Sequence, residues 1–171
     1  MCKIVKATVR DCELLAKIGK KSFLDAHSKS ASKEDIDTFL SQNYSSKDFA
    51  KDIAIADNIY RLIYFKNQAV GFSKVVLHIP NTYIHEPQVT KLDRLYLLKE
   101  FYGQNLGDTL LNCNIELSKR NNQKGMWLAV WIENKRALKF YLKNGFTIVG
   151  SYDFKISNTH ANPNHIMYLE Y

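Results

Sequence analysis

Long apolar runs are missing from this sequence. The longest is MWLAVWI, from Met126 to Ile132, whereas a helix needs about 20 apolar residues to cross a bilayer. We therefore expect no membrane span. The N-terminal segment MCKIVKATVRD lacks the basic region, apolar stretch and cleavage site of a secretory signal, so the expected location is the cytoplasm.

Cysteine, histidine and proline are also scarce. The three cysteines stand at wide spacings, which fits neither a disulfide framework nor a CxxC metal motif and predicts free thiols. The five histidines form no HExxH-type pair, so we expect no metal site. With three prolines, no repeat and no Pro/Gly-rich linker, the chain is expected to form one domain over residues 1–171.

Basic side chains outnumber acidic ones. The 24 lysines and arginines against 17 aspartates and glutamates give a net charge of +7, which favours an anionic partner such as a nucleotide, another phosphate ligand or nucleic acid, and charge alone does not choose among them. The basic residues are dispersed, as on an ordinary solvated surface. Because no arginine-rich stripe with interleaved aromatics is present, we expect no nucleic-acid partner.

Apolar periodicity predicts the order strand, two helices, three strands, helix, strand, helix, two strands. Asp11 is the expected cap of the first helix and Ser32 of the second. This order predicts an α/β fold in which helices cover a mixed sheet. The expected strands cover residues 3–8, 59–65, 69–79, 92–98, 126–132, 146–156 and 166–171, and the helices cover 11–26, 32–56 with breaks, 107–121 and 134–145.

The stretch FYGQNLGDTLL, from Phe101 to Leu111, leads from a predicted strand directly into a predicted helix. A helix N-terminus exposes unpaired N–H groups at the positive end of the helix dipole, and glycine lets a bulky anion approach them. A phosphate site is one interpretation. The alternative is a tight connection in which Gly103 adopts a positive φ and Gly107 permits close packing.

A second segment, ENKRALKFYLKNGF, follows the strand MWLAVWI. Together the two segments resemble the GNAT family of N-acetyltransferases, whose motifs are Gln/Arg-x-x-Gly-x-Gly/Ala and Asn-x-x-Ala-x-x-Phe-Tyr-x-x-x-Gly-Phe. The second motif is matched throughout, by Asn134, Ala137, Phe140, Tyr141, Gly145 and Phe146. The first is matched at Gly107, whereas Tyr102 and Asn105 depart from it. More narrowly, RLYLLKEFYGQNLG and VGSYDF are similar to the PaiA-type polyamine acetyltransferases.

The resemblance implies a mostly antiparallel sheet of about seven strands, with strands 4 and 5 splayed apart and helices on both sides. It also implies acetyl-CoA as cosubstrate, with its pantetheine arm along strand 4 and its pyrophosphate over the glycine-containing loop. The residues it assigns to the cosubstrate are Leu95, Tyr96, Leu97, Tyr102, Gly103, Gln104, Asn105, Leu106, Gly107, Asp108, Asn134, Phe140, Tyr141 and Lys143.

For the chemistry, Tyr141 is similar to the family's general acid, because a phenol stays protonated at neutral pH and can supply a proton to the leaving thiolate. Its alternative is an ordinary core aromatic. An N–H group of the Leu95 to Leu97 segment would stabilise the oxyanion. Three carboxylates, Asp93, Glu100 and Glu133, are equal candidates for the general base, and the sequence does not choose among them.

The expected activity is N-acetylation of a small primary amine, with polyamines such as spermidine or spermine favoured as acceptors. A polycation would need local acid, for which Asp25, Glu34, Asp35 and Asp37 are candidates. The alternatives are a fold relative that binds CoA without catalysis and a family member that acts on a protein or peptide amine. The oligomeric state is open, with a homodimer among the candidates.

Overall fold

The computed structural model describes residues 2–171, whose seven strands form a single mixed sheet in the order β1-β2-β3-β4-β5-β7-β6. The strands are β1 (Cys2–Lys6), β2 (Asn58–Phe65), β3 (Gln68–Val76), β4 (Val89–Leu97), β5 (Gly125–Trp131), β6 (Thr147–Lys155) and β7 (Ala161–Glu170). All neighbouring strands are antiparallel except β4 and β5. The expected sheet of seven strands is confirmed.

Five α-helices cover the two faces of this sheet. They are α1 (Cys12–His27), α2 (Lys33–Asn43), α3 (Ser46–Ile53), α4 (Leu106–Arg120) and α5 (Lys135–Lys143). On one face, α1 to α3 bury a core that includes Leu15, Phe49 and Phe72. On the other, α4 and α5 bury Leu111 and Phe146 against the sheet.

Helix caps explain several of the boundaries. Ser32 accepts a hydrogen bond from the N–H of Asp35 at 3.1 Å, which caps α2 as expected. Asn134 accepts one from the N–H of Ala137 at 3.2 Å and caps α5. Asp11 is the N-cap residue of α1, as expected, but its side chain makes no capping hydrogen bond to α1. Its carboxylate accepts from the N–H of Thr8 at 2.8 Å instead, within a capping box that starts a short 3-10 helix, Val9–Asp11.

Strands β4 and β5 diverge soon after they begin. They pair in parallel only from Val89 to Lys91 on β4 and from Gly125 to Trp127 on β5. Beyond this point β4 pairs only with β3, while β5 continues along β7 as far as Trp131. A register shift between Lys74 and Val75 of β3 falls at the same level, as expected where a bulge bends a sheet. The splayed pair that the resemblance implied is confirmed.

Candidate active site

The gap between β4 and β5 exposes main-chain groups of β4. A Cβ atom added to Gly71 of β3 would lie 2.3 Å from the carbonyl oxygen of Tyr96, so that carbonyl points toward β3. Main-chain groups of successive strand residues point to opposite sides, so those of Leu95 and Leu97 point toward the gap. Consistently, the carbonyl of Leu97 accepts a hydrogen bond from Ser22 Oγ at 3.4 Å.

The loop before α4 presents a row of N–H groups. Its backbone is left-handed at Gly103 (φ 77°) and at Asn105 (φ 58°), which precedes the first turn of α4 without capping it through its side chain. Between residues 103 and 108, no main-chain N–H donates a hydrogen bond to any residue of the range 2–171. Unpaired donors at the N-terminus of a long helix form a ready site for an anion.

Helices α4 and α5 approach each other closely at this loop. A Cβ atom at Gly107 would lie 3.3 Å from Cε2 of Phe140. The carboxylate of Asp108 is held toward α5, since Asn144 Nδ2 donates to it at 3.0 Å and Lys143 Nζ lies 3.7 Å away. These contacts direct the acidic side chain in the first turn of α4 toward α5.

A cavity of about 310 Å³, here called the loop cavity, lies between this loop, β4 and α5. Most residues that the resemblance assigned to the cosubstrate line this cavity. They are Leu95, Leu97, Tyr102, Gly103, Asn105, Leu106, Gly107, Asp108, Phe140, Tyr141 and Lys143. Of the remaining three, Tyr96 and Asn134 line the neighbouring cavity, and Gln104 is exposed and lines neither.

That neighbouring cavity, here called the central cavity, has a volume of about 380 Å³ and extends to the α1 and α2 side of the sheet. Aromatic side chains form much of its wall, among them Phe23, Phe39, Tyr44 and Phe154. The sequence did not single these residues out. Their only signal was aromatic spacing, which ordinary core residues share.

Tyr141 lies where the two cavities meet, since it lines both. The residue is buried, and its ring makes edge contacts with Phe140 and Phe146, at centroid distances of 5.1 and 5.5 Å. Burial, reinforced by Tyr96 and opposed by Arg136, raises the pKa of Tyr141 well above that of an ordinary phenol. The hydroxyl therefore carries its proton at every pH at which the protein would be assayed.

Comparison with known proteins identifies the class. The sequence profile of the acetyltransferase (GNAT) family matches residues 24–146, more than half of the chain. The chain belongs to the GNAT family. An uncharacterised N-acetyltransferase of Lactobacillus delbrueckii subsp. lactis is 24% identical to it over 156 residues, which cover 91% of this chain and 90% of the relative.

Solved GNAT structures agree with this acetyltransferase in fold. PaiA N-acetyltransferase from Thermoplasma acidophilum, in complex with coenzyme A, superposes with a TM-score of 0.81 at 24% identity, covering 100% of this chain and 99% of that one. The ribosomal-protein-S18-alanine N-acetyltransferase of Escherichia coli gives a TM-score of 0.71 at 16% identity, with coverage of 99% and 94%. At these identities the likeness concerns the fold alone.

Arg136 of this acetyltransferase is a site residue that the sequence did not reveal. It lines both cavities, its guanidinium carbon lies 3.8 Å from the ring centroid of Tyr102, and its Nη2 donates to the Tyr102 hydroxyl at 2.9 Å. Tyr102 stands at the position where the family motif has Gln or Arg. The Tyr102–Arg136 pair thus brings a cation to this corner from α5.

The three candidate bases differ sharply in their surroundings. Asp93 lines the central cavity, and although burial opposes ionisation, the nearby Lys91 and Lys74 lower its pKa to about 2. Glu100 is exposed and pairs with Lys21, and Glu133 lies 3.6 Å from Lys135. Neither of these two glutamates lines the loop or central cavity. None of the three combines access to Tyr141 with ordinary basicity.

The carboxylates proposed for a polycationic acceptor lie elsewhere. Asp25, Glu34, Asp35 and Asp37 are absent from the walls of both cavities. Across residues 2–171 there is no group of three or more His, Cys, Asp or Glu side chains placed to hold a metal ion. No helix in the same range is long and apolar enough to cross a membrane.

Proposed function

We propose that this protein transfers the acetyl group of acetyl-CoA to the primary amine of a small molecule by direct attack, with Tyr141 as the general acid. The observation that carries the proposal is the position of the Tyr141 side chain. It lies at the junction of the loop cavity, which suits a phosphorylated cosubstrate, and the central cavity, which suits the acceptor.

The loop cavity fits the cosubstrate in two respects. The unpaired N–H groups from Gly103 to Asp108 receive the pyrophosphate, assisted by the positive end of α4. The pantetheine arm lies in the gap as an additional strand and pairs with Leu95 and Leu97. Asn134 and Lys143 then border the arm and the phosphates from α5.

The chemistry follows from this placement. The lone pair of a neutral amine forms a bond to the thioester carbon, and a gap-facing N–H of Leu95 or Leu97 stabilises the oxyanion. The C–S bond then breaks, and the CoA thiolate takes the proton of Tyr141. The new amide nitrogen loses its extra proton to water in the central cavity, and solvent reprotonates Tyr141. No carboxylate base is required, in keeping with the surroundings of Asp93, Glu100 and Glu133.

A polyamine acceptor remains a prediction with little support from the charges of the site. The only carboxylate among the residues of the central cavity is Asp93, which lies within ion-pair distance of Lys74, Lys91 and Arg94. A polycation entering the cavity would meet a surplus of positive charge. Spermidine and spermine therefore belong in the test as competitors of other amines.

The decisive experiment measures CoA release with a panel of amines, using the wild type and Tyr141→Phe. We expect the loss of the hydroxyl to reduce kcat by about 10²- to 10⁴-fold, the usual effect of removing a general acid. Tyr83→Phe is the matched control, since Tyr83 is half exposed and lines neither cavity.

Three outcomes would contradict the proposal. Full activity of Tyr141→Phe would remove the assigned acid. A wild type that turns over no amine, yet melts at a higher temperature with CoA, would instead indicate a CoA-binding protein without catalysis. Turnover of peptide amines alone would move the acceptor to the protein class.

A further inference from the structure

Arg94 is a largely buried cation whose guanidinium N–H groups have no hydrogen-bond acceptor among the described residues. Its side chain is 19% exposed, yet the guanidinium makes no hydrogen bond to any residue between 2 and 171. Its nearest anion is Asp93, whose Oδ2 lies 3.9 Å from Nε. The guanidinium carbon lies 4.7 Å from the ring centroid of Tyr44 and 5.1 Å from that of Phe49. These rings hold the guanidinium in place and leave its N–H groups available.

The charges around Arg94 do not balance. Lys74 contacts Asp52 at 2.7 Å and Asp93 at 3.3 Å, and Lys91 contacts Asp93 at 2.7 Å. With Arg94 the cluster holds three cations against two carboxylates. Further out, Asp48 and Lys51 are opposite charges that border a second, outer cavity beside Arg94 and leave this excess unchanged. A partly buried charge without a counter-charge is unfavourable, so a bound anion would stabilise this cluster.

Two phenols provide a further donor beside Arg94. The hydroxyls of Tyr44 and Tyr96 lie 2.7 Å apart, so one donates to the other. The second hydroxyl proton has no acceptor among the described residues. Burial raises the pKa of both phenols, so both stay protonated at neutral pH. The cavity therefore offers a guanidinium and an O–H group side by side, and both are donors.

We propose that the acceptor is a primary amine that carries a carboxylate, which Arg94 and the Tyr44–Tyr96 pair bind at the α2 side of the central cavity. This inference rests on the proposed function and specifies its substrate class. The planar fork of an arginine matches the two oxygens of a carboxylate. Arg94 and Tyr96 are two residues apart on β4, about 7 Å at the usual rise of a strand, a span that a small amino acid covers.

The test compares amines that differ only by a carboxylate: lysine with cadaverine, ornithine with putrescine, and phenylalanine with phenethylamine. We expect the carboxylated member to have a kcat/KM about 10- to 100-fold higher, as charge-assisted hydrogen bonds provide. Mass spectrometry of the product identifies which amine is acetylated. Equal values, or a preference for the diamines, would overturn the inference while leaving the acetyltransferase proposal intact.

Variants of Arg94 locate the effect. In Arg94→Gln the preference within each pair should fall to about one, and in Arg94→Lys, which keeps the charge but loses the fork, it should be partly retained. Arg120→Gln, an exposed arginine on α4, is the control and should keep the full preference. The rise in melting temperature with acetyl-CoA shows that each variant is folded. If Arg94→Gln does not fold, Tyr96→Phe and the wild-type pairs still decide the question.

Two further arms remove ambiguity. Comparing kcat/KM for phosphoethanolamine and ethanolamine measures the effect of a phosphate in place of the carboxylate. If this preference exceeded that for every carboxylated amine, the assignment of a carboxylate would be wrong. If no amine is turned over, calorimetry with CoA present compares the binding of lysine and cadaverine. Tighter binding of lysine supports the inference and equal binding refutes it, whatever the fate of the catalytic proposal.

Discussion

His27 is a partly buried residue in the wall of the central cavity. Its ring stacks on Phe23 at a centroid distance of 4.7 Å and lies 5.4 Å from Trp131. Its Nδ1 is buried, with no hydrogen-bond partner among residues 2–171. Burial lowers the pKa of His27 to about 4. At neutral pH the imidazole is therefore uncharged and acts as part of an aromatic wall.

This shift makes stability depend on pH with a definite sign. The unfolded chain protonates His27 near pH 6.5, whereas the folded protein does so only near pH 4. Protonation of His27 therefore leaves the free energy of unfolding unchanged above pH 6.5 and lowers it as the pH falls toward 4. Between these limits we expect a loss of about 2 to 3 kcal/mol from this group.

His27→Phe tests that expectation. Denaturant unfolding at pH 7 and pH 4 should show a smaller difference in unfolding free energy for His27→Phe than for the wild type. His85→Gln, at an exposed histidine, serves as the control and should leave the difference unchanged. An equal pH dependence in His27→Phe and the wild type would show that other groups cause the acid sensitivity.

At the residue scale, the sequence predicted positions whose chemistry is fixed by a local motif. The positive φ that one interpretation gave to Gly103 is observed, because the turn into α4 depends on neighbours in the chain. Arg94 could not be found in this way. Its surroundings come from Tyr44 and Phe49, which are distant in sequence, and nothing in RLYLL distinguishes it from a surface arginine.

Among the elements, the contact between α4 and α5 sets the shape of the loop cavity. Gly107 lets the first turn of α4 reach the ring of Phe140, where any Cβ would lie at 3.3 Å from the nearest ring carbon. The next turn cannot move away freely, since Leu110 and Leu111 are fully buried. The position of the N–H groups at the N-terminus of α4 thus depends on Gly107 having no side chain.

Gly107→Val should therefore displace the N-terminus of α4. We expect a loss of about 1 to 3 kcal/mol in unfolding free energy from overpacking and a raised KM for acetyl-CoA. Gly107→Ala should show the same changes to a smaller degree. Calorimetric binding of CoA and chemical denaturation measure the two effects.

Asn112→Val provides the comparison for this pair. It places the same β-branched residue on the exposed face of α4 and carries only the cost of helix propensity. If Asn112→Val weakened CoA binding as much as Gly107→Val, the contact with Phe140 would not be the cause.

At the element scale, the sequence interpretation placed the starts of two strands too late in the chain. Strand β7 was expected from Ile166 but begins at Ala161, because Asn162 and Asn164 line the central cavity and break the usual apolar alternation. Strand β4 begins at Val89 rather than at the expected Leu92. The helix α5 was predicted closely, since Asn134 and Gly145 mark both of its ends.

The whole molecule consists of two half-sheets that are joined along β4 and β5. The order of elements and the class of fold followed from periodicity and from the resemblance to GNAT proteins. The charge of the acceptor side could not be predicted from the sequence, because a net charge of +7 spread along the chain does not show which cations are buried together.

The open gap should be visible in solution. Amides of Leu95 and Leu97 face it without partners on β5 and should exchange rapidly with deuterium in the free protein. Acetyl-CoA should slow exchange in peptides that cover residues 93–98 and 101–109 and leave β1 and β2 unchanged. At 100 times its Kd, it should also add about 2.7 kcal/mol of stability.

Hydrogen-exchange mass spectrometry measures all three regions in one experiment. Protection of β1 and β2 alone, or an unchanged rate at residues 101–109, would place the cosubstrate outside the gap.

Three residue pairs hold β4 against β5, and four strands stand on one side of that seam with three on the other. The rest of the seam has no hydrogen bonds of its own. In the proposed complex, the pantetheine arm of acetyl-CoA would fill the seam as an eighth strand. A ligand bound there would therefore also stiffen the protein. In the free protein, a force applied across the seam should separate the two half-sheets before it unfolds either of them.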